Sequence, residues 1–247
     1  MTAVLDVAVL VVAKAPVAGQ AKTRLSPPLS PREAARLAAA ALLDTLAAAA
    51  AARVRRRIVA LTGDLDRAES HADLAAALAP FDVLPQRGTG FAERLANAHH
   101  DAARRAGLPV LQLGGDTPQA DSALLTDCAA RLAAPGVDAV VGPAADGGWW
   151  ALGLRADPPV LDLARVPMST PHTGADTLAM LRRHRRATVL LPELVDVDRA
   201  DDALLVAEMV GAQSRFGQVV ADLGPKLRAC DAGSGAHRCA HPEDSRS

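Results

Sequence analysis

The hydrophobic positions along the chain alternate between short continuous runs and longer segments with helical spacing. Residues 4–13 form a nearly continuous apolar run, which is typical of a strand covered by helices on both faces. Ser30 and Glu33 have the spacing of a helix capping box and Pro31 suits the first helical position, so a helix is predicted from Pro31 to about Arg53. Its large apolar residues recur on one face, which favours an amphipathic helix of a soluble protein over a membrane-spanning helix.

The same alternation continues to about residue 210. Further strands are predicted at residues 57–62, 81–85, 110–113, 138–141 and 188–191, and a turn that enters a strand is predicted at 146–154. Further helices are predicted at 65–78, 91–106, 121–134, 200–210 and from Thr170 or Thr173 to about His184. This alternation predicts an α/β fold with a mostly parallel sheet and helices on both faces.

We expect one domain over residues 1–212 and a C-terminal extension over residues 213–247. The hydrophobic periodicity fades after Gln213, and from Ala229 the chain consists mainly of Gly, Ser, His and charged residues. Such a composition buries too little apolar surface to fold, so disorder is predicted from about residue 229.

Composition and charge exclude several classes of protein. The 27 basic and 28 acidic residues give a net charge of -1, so no general basic field is available for nucleic acid or an anionic membrane. Three cysteines are too few and too unevenly placed for a disulfide framework. The N-terminal apolar run lacks a basic lead-in and is too short for a span. We therefore expect a cytoplasmic protein without a membrane span, whose oligomeric state the sequence leaves open.

Candidate chemistry begins at Asp116, which follows a predicted buried strand. That strand breaks at Gly114 and Gly115 and brings the carboxylate to its carboxyl end. Ligands of open α/β sheets collect at this edge, and the glycines allow close approach of a ligand. The alternative is that Asp116 only stabilises the turn that follows, because Asp-Thr-Pro is also an ordinary turn sequence.

The loop after the first strand combines Gly19 with the basic residues Lys14, Lys22 and Arg24. A loop of this kind can bind phosphates through backbone amides while cationic side chains neutralise them. It is neither a Walker loop nor a dinucleotide fingerprint. The alternative is a solvated basic loop without a ligand.

Two further groups of polar residues follow later strands. Asp196 and Asp198 precede the helix predicted at 200, where they could contribute a second metal ligand or serve as N-terminal caps, and Asp198 is favoured as the ligand. Asp146, with Gly147 and Gly148, could contact an acceptor or act catalytically, or could form a tight turn.

Two more features could contribute to a site. Trp149 and Trp150 lie in a predicted strand and should point to opposite faces, so at most one can line the site. Gly90 leads into the helix at residue 91, where backbone amides could bind an anion or belong to a flexible loop.

Four motifs together resemble one family. AKAPVAGQAKTRL (13–25), LGGDTP (113–118), GPAADGGWWALGL (142–154) and LVDVDRADD (194–202) resemble bacterial glycosyltransferase-A-like proteins grouped with arsenosugar-biosynthesis glycosyltransferases. The Lys-Thr-Arg-Leu ending of the first motif also resembles 2-phospho-L-lactate guanylyltransferase. The resemblance covers roughly residues 4–209.

The resemblance implies a nucleotide-diphospho-sugar transferase (GT-A, Rossmann-like) fold, in which a nucleotide lies over the carboxyl edge of the sheet and Mg²⁺ or Mn²⁺ bridges its phosphates. By the same resemblance Asp116 would bind the metal, the basic side chains would hold phosphate, and Thr62 would lie near the base. Gly115 and Met168 depart from the family pattern, and Met168 bears on acceptor specificity.

The expected function is transfer of a sugar from a nucleotide-sugar donor to a small acceptor. One alternative is a nucleotidyltransferase that joins NMP from a nucleoside triphosphate to a phosphorylated small molecule, and another is a nucleotide-binding protein without turnover. The predicted site comprises Asp146 as the catalytic residue, Asp116 and Asp198 as metal ligands, Lys14, Gly19, Lys22, Arg24, Thr62 and Gly90 for the nucleotide, and Gly147, Gly148 and Trp149 on the acceptor side.

Overall fold

A seven-stranded sheet forms the centre of the protein in the computed structural model, which describes residues 3–155 and 162–233. The strands are β1 (Leu5–Lys14), β2 (Val54–Thr62), β3 (Asp82–Pro85), β4 (Val110–Gly114), β5 (Ala139–Pro143), β6 (Trp149–Leu154) and β7 (Thr188–Leu190). Their order is β3-β2-β1-β4-β6-β5-β7, and β6 is antiparallel to both of its neighbours while the other pairs are parallel. The predicted α/β fold with a mostly parallel sheet is thereby confirmed.

Helices cover both faces of this sheet. They are α1 (Pro31–Ala51), α2 (His71–Leu78), α3 (Phe91–Ala106), α4 (Ser122–Ala133), α5 (Thr173–Arg183), α6 (Ala200–Val210) and α7 (Arg215–Gly233). Alternate residues of β1 enter different cores because successive strand side chains point to opposite faces. Val9 packs with residues of α1, α2 and α4, whereas Leu10 packs with residues of α3.

The register of the strands brings several polar segments to one edge. Lys14, the last residue of β1, pairs with Thr62, the last residue of β2, and the neighbouring β4 ends at Gly114. Because β6 runs antiparallel to β4, the turn that precedes Trp149 lies at this same carboxyl edge. The motifs of the sequence therefore converge on the edge where ligands of α/β sheets bind.

One predicted helix is wrong in part. Residues 65–78 were expected to form a single helix, but the structure has a short 3-10 helix at Leu65–Arg67 and then α2. Ser70 has a left-handed backbone (φ 57), a conformation that a continuous right-handed helix does not allow. The break therefore divides the segment into two short helices.

The helix α7 corrects the interpretation of the segment after Gln213, whose periodicity was expected to fade. Five apolar residues on α7 have helical spacing and are buried against α1 and α6: Phe216, Val219, Val220, Leu223 and Leu227. The predicted extension thus begins with a packed helix. Residues 234–247 lie outside the described ranges, so the disorder of the tail stays a prediction, as does the domain limit at residue 212.

Within the described ranges, α1 is the one helix long and apolar enough to cross a membrane by length and composition. About 61% of that stretch is buried inside the protein, as expected for a core helix. Its N-terminus has the predicted capping box, with the Glu33 amide donating to Ser30 Oγ and the Glu33 carboxylate accepting from the Ser30 amide.

Candidate active site

A cavity of about 520 Å³ opens at the carboxyl edge of the sheet. Nine of the predicted site residues line it: Lys14, Lys22, Arg24, Thr62, Asp116, Asp146, Gly148, Trp149 and Asp198. Three others, Gly19, Gly90 and Gly147, are not among its lining residues, although each adjoins one that is or lies in a lining loop. Most of the predicted site is therefore one pocket, formed by segments that are far apart in the sequence.

Lys22 is the centre of an ion-pair network in this cavity. Its Nζ donates to Asp116 Oδ2 at 2.7 Å and to Asp198 Oδ1 at 3.4 Å, and Arg24 Nη1 donates to Asp198 Oδ2 at 2.7 Å. Burial lowers the pKa of Lys22, but Asp116 and the other carboxylates outweigh this effect and the pKa is raised. The positive charge of Lys22 in turn holds the pKa of Asp116 below its ordinary value.

The rest of the basic loop is shaped by its backbone. Gly19 has a left-handed φ of 78°, which a glycine adopts without strain, and so permits the turn that returns the chain toward Lys22. Lys14 Nζ donates to the carbonyl of Gln20 at 3.0 Å and so holds the loop closed. The phosphate-binding role of these two residues stays a prediction.

Asp196 is a site residue that the sequence offered as a metal ligand or helix cap, with Asp198 favoured over it as the ligand. It lines the cavity, and its Oδ1 is buried without a hydrogen-bond partner among the described residues. Burial, followed by the negative charges of Asp116 and Asp146, raises the pKa of Asp196 to about 7. Its position two residues before Asp198 in an extended segment was the signal that both carboxylates could reach one site.

Helix capping, the alternative role for Asp196 and Asp198, is performed by another residue. Asp202 Oδ2 accepts hydrogen bonds from the amides of Asp198 and Arg199, at 3.1 and 2.7 Å, at the start of α6. The carboxylate of Asp198 is therefore available to pair with Lys22 and Arg24.

The carboxylates of the cavity suit a divalent cation whose remaining coordination positions are filled by substrate oxygens and water. Within the described parts of the chain, no three Asp, Glu, His or Cys side chains form a ready-made metal site, and Lys22 bridges Asp116 and Asp198. Mg²⁺ typically uses one or two carboxylates together with phosphate oxygens and water. Asp196 adds a buried oxygen without a partner in the described ranges, and burial, followed by the nearby carboxylates, raises its pKa, so a cation there would stabilise its charged form. Asp116, Asp196 and Asp198 are the residues that would hold such an ion.

The turn before β6 fixes Asp146 at the cavity wall. Asp146 Oδ1 accepts from the amide of Gly148 at 2.8 Å, so the predicted turn is present and the carboxylate also lines the cavity. Gly147 has a left-handed φ of 88°, and an added Cβ would lie 2.1 Å from the carbonyl oxygen of Pro171. Glycine is therefore required where this turn meets the segment before α5.

The two tryptophans occupy opposite faces of the sheet, as the strand pattern predicts. Trp150 is buried beside α1 and α4, and its indole Nε1 donates to the carbonyl of Pro192 at 2.9 Å. Trp149 packs in the core that contains Leu95 and Met180, on the other face, and its Nε1 is buried with no partner in residues 3–155 and 162–233. Phe91, which the sequence did not single out as a ligand contact, lines the cavity and is 54% exposed.

A buried imidazole lies below the cavity on the face covered by α3. His99 Nδ1 is 3.2 Å from Gln112 Oε1. Burial lowers the pKa of His99 to about 4, although the hydrogen bond to Gln112 opposes this shift. His99 is therefore neutral near pH 7, and Nδ1–H donates to the amide oxygen.

Because His99 is buried in its neutral form, we expect the folded protein to lose stability in mild acid. The unfolded chain takes up a proton below about pH 6.5, whereas folded His99 does so only near pH 4. The contribution of neutral His99 to the free energy of unfolding is thus complete above about pH 6.5 and is lost as the pH falls toward 4. At pH 5 the loss is roughly 2 kcal/mol. We expect His99→Asn, which can keep the donor to Gln112, to flatten this dependence in chemical denaturation at pH 7 and 5. Equal slopes for both proteins would contradict the assignment.

Comparison with solved structures identifies the fold. A crystal structure of a candidate nucleotide-diphospho-sugar transferase from Desulfovibrio desulfuricans G20 matches with a TM-score of 0.79 and 24% identity, covering 91% of this chain and 98% of the other. Rv0371C of Mycobacterium tuberculosis H37Rv, in complex with manganese, matches with a TM-score of 0.51 and 24% identity over 84% and 100% of the two chains. A cytidylyltransferase from Leptospira borgpetersenii gives 0.51 and 12% over 96% and 100%.

These likenesses and the sheet order define the class as the nucleotide-diphospho-sugar transferase fold. Within it, the chain belongs to a family described as uncharacterized proteins conserved in bacteria (DUF2064), whose model matches residues 45–170. No functionally curated protein matches the chain.

Proposed function

We propose that the protein is a metal-dependent glycosyltransferase that moves a sugar from a nucleotide-sugar donor to the hydroxyl group of a small acceptor. The observation that carries the proposal is the network of Lys22, Arg24, Asp116 and Asp198, which shares one cavity with the carboxylate of Asp146. One side of the cavity has the charges that a diphosphate and a cation require, and Asp146 supplies a base for an acceptor. The names of the related structures, a candidate nucleotide-diphospho-sugar transferase and a manganese complex, agree with this proposal.

The basic side chains would bind the diphosphate. When a glycosidic bond to phosphate breaks, negative charge accumulates on the departing nucleoside diphosphate. Lys22 and Arg24 carry positive charge at this edge, and the carboxylates Asp116, Asp196 and Asp198 would hold the cation. When bound, the divalent ion supplies charge stabilisation to the phosphate oxygens.

The nucleoside would lie toward Thr62 and Phe91. Both residues line the cavity, and the ring of Phe91 has enough exposed surface to stack on a base. Stacking of a base on an aromatic side chain is worth about 1–3 kcal/mol and is tolerant of base identity. Phe91 therefore supports nucleotide binding without selecting one base.

Asp146 is the residue proposed to activate the acceptor. Its Oδ1 is held by the amide of Gly148, which orients the carboxylate and leaves Oδ2 free of the turn. As the acceptor oxygen forms a bond to the anomeric carbon, the bond from that carbon to the phosphate oxygen breaks and the hydroxyl proton moves to Asp146. A general base in this role contributes about 10²–10⁴-fold to the rate.

Nucleotidyl transfer is the second candidate, and the basic loop is the observation that favours it. Lys22 and Arg24 could stabilise departing pyrophosphate as well as a departing nucleoside diphosphate. An acceptor phosphate is already ionised, however, and needs no base to attack the α-phosphate of a triphosphate. Transfer of a sugar would support a relation to the arsenosugar-biosynthesis glycosyltransferases, and nucleotidyl transfer would support a relation to the guanylyltransferases.

The proposal is tested by binding, followed by product detection. Thermal unfolding is measured with nucleotide sugars and with nucleoside triphosphates, each with and without Mn²⁺. Stabilisation by a nucleotide sugar that depends on Mn²⁺, with release of the nucleoside diphosphate on addition of an acceptor, supports sugar transfer. Preference for a triphosphate with release of pyrophosphate supports the second candidate, and stabilisation without any product indicates a nucleotide-binding protein.

Asp146→Asn distinguishes the two reactions. Asn keeps the oxygen that accepts from Gly148 but cannot take a proton, so the turn should persist. For sugar transfer we expect kcat to fall about 100-fold or more while the Kd of the donor changes less than about threefold. Measured kcat values within a factor of about 3 of the unmodified protein would argue against Asp146 as the base.

A further inference from the structure

Arg94 is a cation in the cavity without a side-chain partner among the described residues. It is the fourth residue of α3 and lines the cavity, and its Nε is buried with no hydrogen-bond acceptor there. Among the described residues, the other arginine that lines the cavity, Arg24, is paired with Asp198, and the nearby Arg87 is paired with Asp101 outside it. Arg94 itself is half-buried, but a buried N–H of a charged side chain without an acceptor is costly, so the position of Nε indicates a ligand that supplies one.

Two further donors on the same face of the sheet lack acceptors in the part of the chain that the structure describes. Gln112 is fully buried in β4; its Oε1 accepts from His99, which leaves Nε2 without a partner. The indole Nε1 of Trp149, at the start of β6, is also buried and unpartnered. Both residues line the cavity together with Arg94. Three residues that line one wall of the cavity, on three different elements, therefore each have a buried N–H group without an acceptor in the described ranges.

The chemistry of these donors specifies the ligand. Arginine, the glutamine amide and the indole N–H donate hydrogen bonds at these atoms and accept none there. A group that satisfies several donors and carries charge opposite to Arg94 is a carboxylate or a phosphate, and arginine binds both through its planar fork. Two carboxylates of the cavity, Asp116 and Asp198, by contrast, pair with Lys22 and Arg24.

We propose that the α3 wall of the cavity, formed by Arg94, Gln112 and Trp149, binds a carboxylate or phosphate on the part of the substrate that is not the nucleotide. This inference rests on the proposed function, in which the substrates are a nucleotide-sugar donor and a small acceptor. It adds that either the transferred sugar or the acceptor is anionic, and that Arg94 determines this specificity.

Matched ligands that differ in charge test the proposal and separate its two sources. The donor pair is UDP-glucuronate and UDP-glucose with Mn²⁺, and the acceptor pair is glycerol 3-phosphate and glycerol; inorganic phosphate serves as a minimal anion. Kd values come from calorimetry and from the tryptophan fluorescence to which Trp149 contributes. We expect the charged member of at least one pair to bind about 10- to 100-fold more tightly, the size of a charge-assisted hydrogen bond.

The preference must depend on Arg94. In Arg94→Gln the charged and neutral ligands should bind within about twofold of each other, and Arg94→Lys should restore part of the difference because the charge returns without the fork. Arg87→Gln is the matched control and should keep the preference, because Arg87 pairs with Asp101 and does not line the cavity. The proposal is overturned by a wild-type protein without a charge preference, by an unchanged preference in Arg94→Gln, or by an equal loss of the preference in Arg87→Gln.

Failure of the proposed function would be a different result. It would appear as the absence of any Mn²⁺-dependent stabilisation by nucleotide sugars in the wild-type protein. The phosphate and glycerol 3-phosphate titrations would still test whether Arg94 forms an anion site. Thermal unfolding of the unliganded variants identifies any loss of folding.

Discussion

Replacing Asp116 by Asn is expected to abolish the Mn²⁺-dependent binding of nucleotide and to lower the transfer rate by about 100- to 1,000-fold. Asp116 is the carboxylate at the carboxyl end of β4 and accepts from Lys22 Nζ at 2.7 Å. An amide has nearly the same shape as the carboxylate and can still accept from Lys22, but it carries no charge, so it binds a divalent cation weakly and no longer balances the charge of Lys22. The effect should therefore appear in both donor affinity and rate.

The measurement is the midpoint of thermal unfolding with and without Mn²⁺ and donor, together with product formation. The unliganded variant should remain folded, because the side chain of Asp116 is 42% exposed and Lys22 keeps Asp198 as a partner. Asp222→Asn is the control, since Asp222 pairs with Arg36 and does not line the cavity. A metal response in Asp116→Asn equal to that of the wild type would remove Asp116 from the metal site.

Replacing Phe216 by Ala should destabilise the fold by about 3–5 kcal/mol, the usual loss for a large aromatic side chain in a core. Phe216 is fully buried near the start of α7 and packs in the cluster that includes Leu37 and Val206, from α1 and α6. Asp44 also accepts from the amide of Phe216 at 2.8 Å, so this turn is fixed to α1 by both packing and hydrogen bonding.

Urea denaturation measures this change, with Leu205→Ala as a matched control. Leu205 lies on α6 with about half of its surface exposed, so its truncation should alter the free energy of unfolding by no more than about 0.5 kcal/mol. If the two variants lose similar stability, α7 is not part of the core and the extension after residue 212 is a true appendage. A large loss for Phe216→Ala alone makes α7 a component of the domain.

Local patterns in the sequence were sufficient for most of the fold. The capping box at Ser30 and the apolar spacing of the segment at Phe91 gave helices that begin at the predicted residues. The pattern failed where a single backbone angle decided the outcome, as at Ser70, and where apolar residues were separated by polar ones, as in α7. In α7 the spacing from Phe216 to Leu227 was a helical signal that the mixed composition concealed.

The candidate site could be predicted in its parts but not in its pairings. The glycine break before Asp116 and the basic loop were visible in the sequence, because each is a local feature of a strand end. Lys22 and Asp116 are 94 positions apart, and Lys22 and Asp198 are 176 apart, so their contacts follow from strand order and register. The importance of Asp196 depends on its burial and on the charges around it, which no spacing in the sequence contains.

The sequence by itself determined the α/β alternation and the residue types that end its strands, because hydrophobic periodicity and glycine breaks act over a few residues. Only the tertiary structure decided which of those residues meet. The parallel pairing of β1 with β2 and β4, and the reversal of β6, bring the loop of Lys22, the carboxylates and Asp146 to one cavity. The same packing leaves the buried Nε of Arg94 without an acceptor among the described residues, since burial and hydrogen-bond satisfaction are properties of the packed chain.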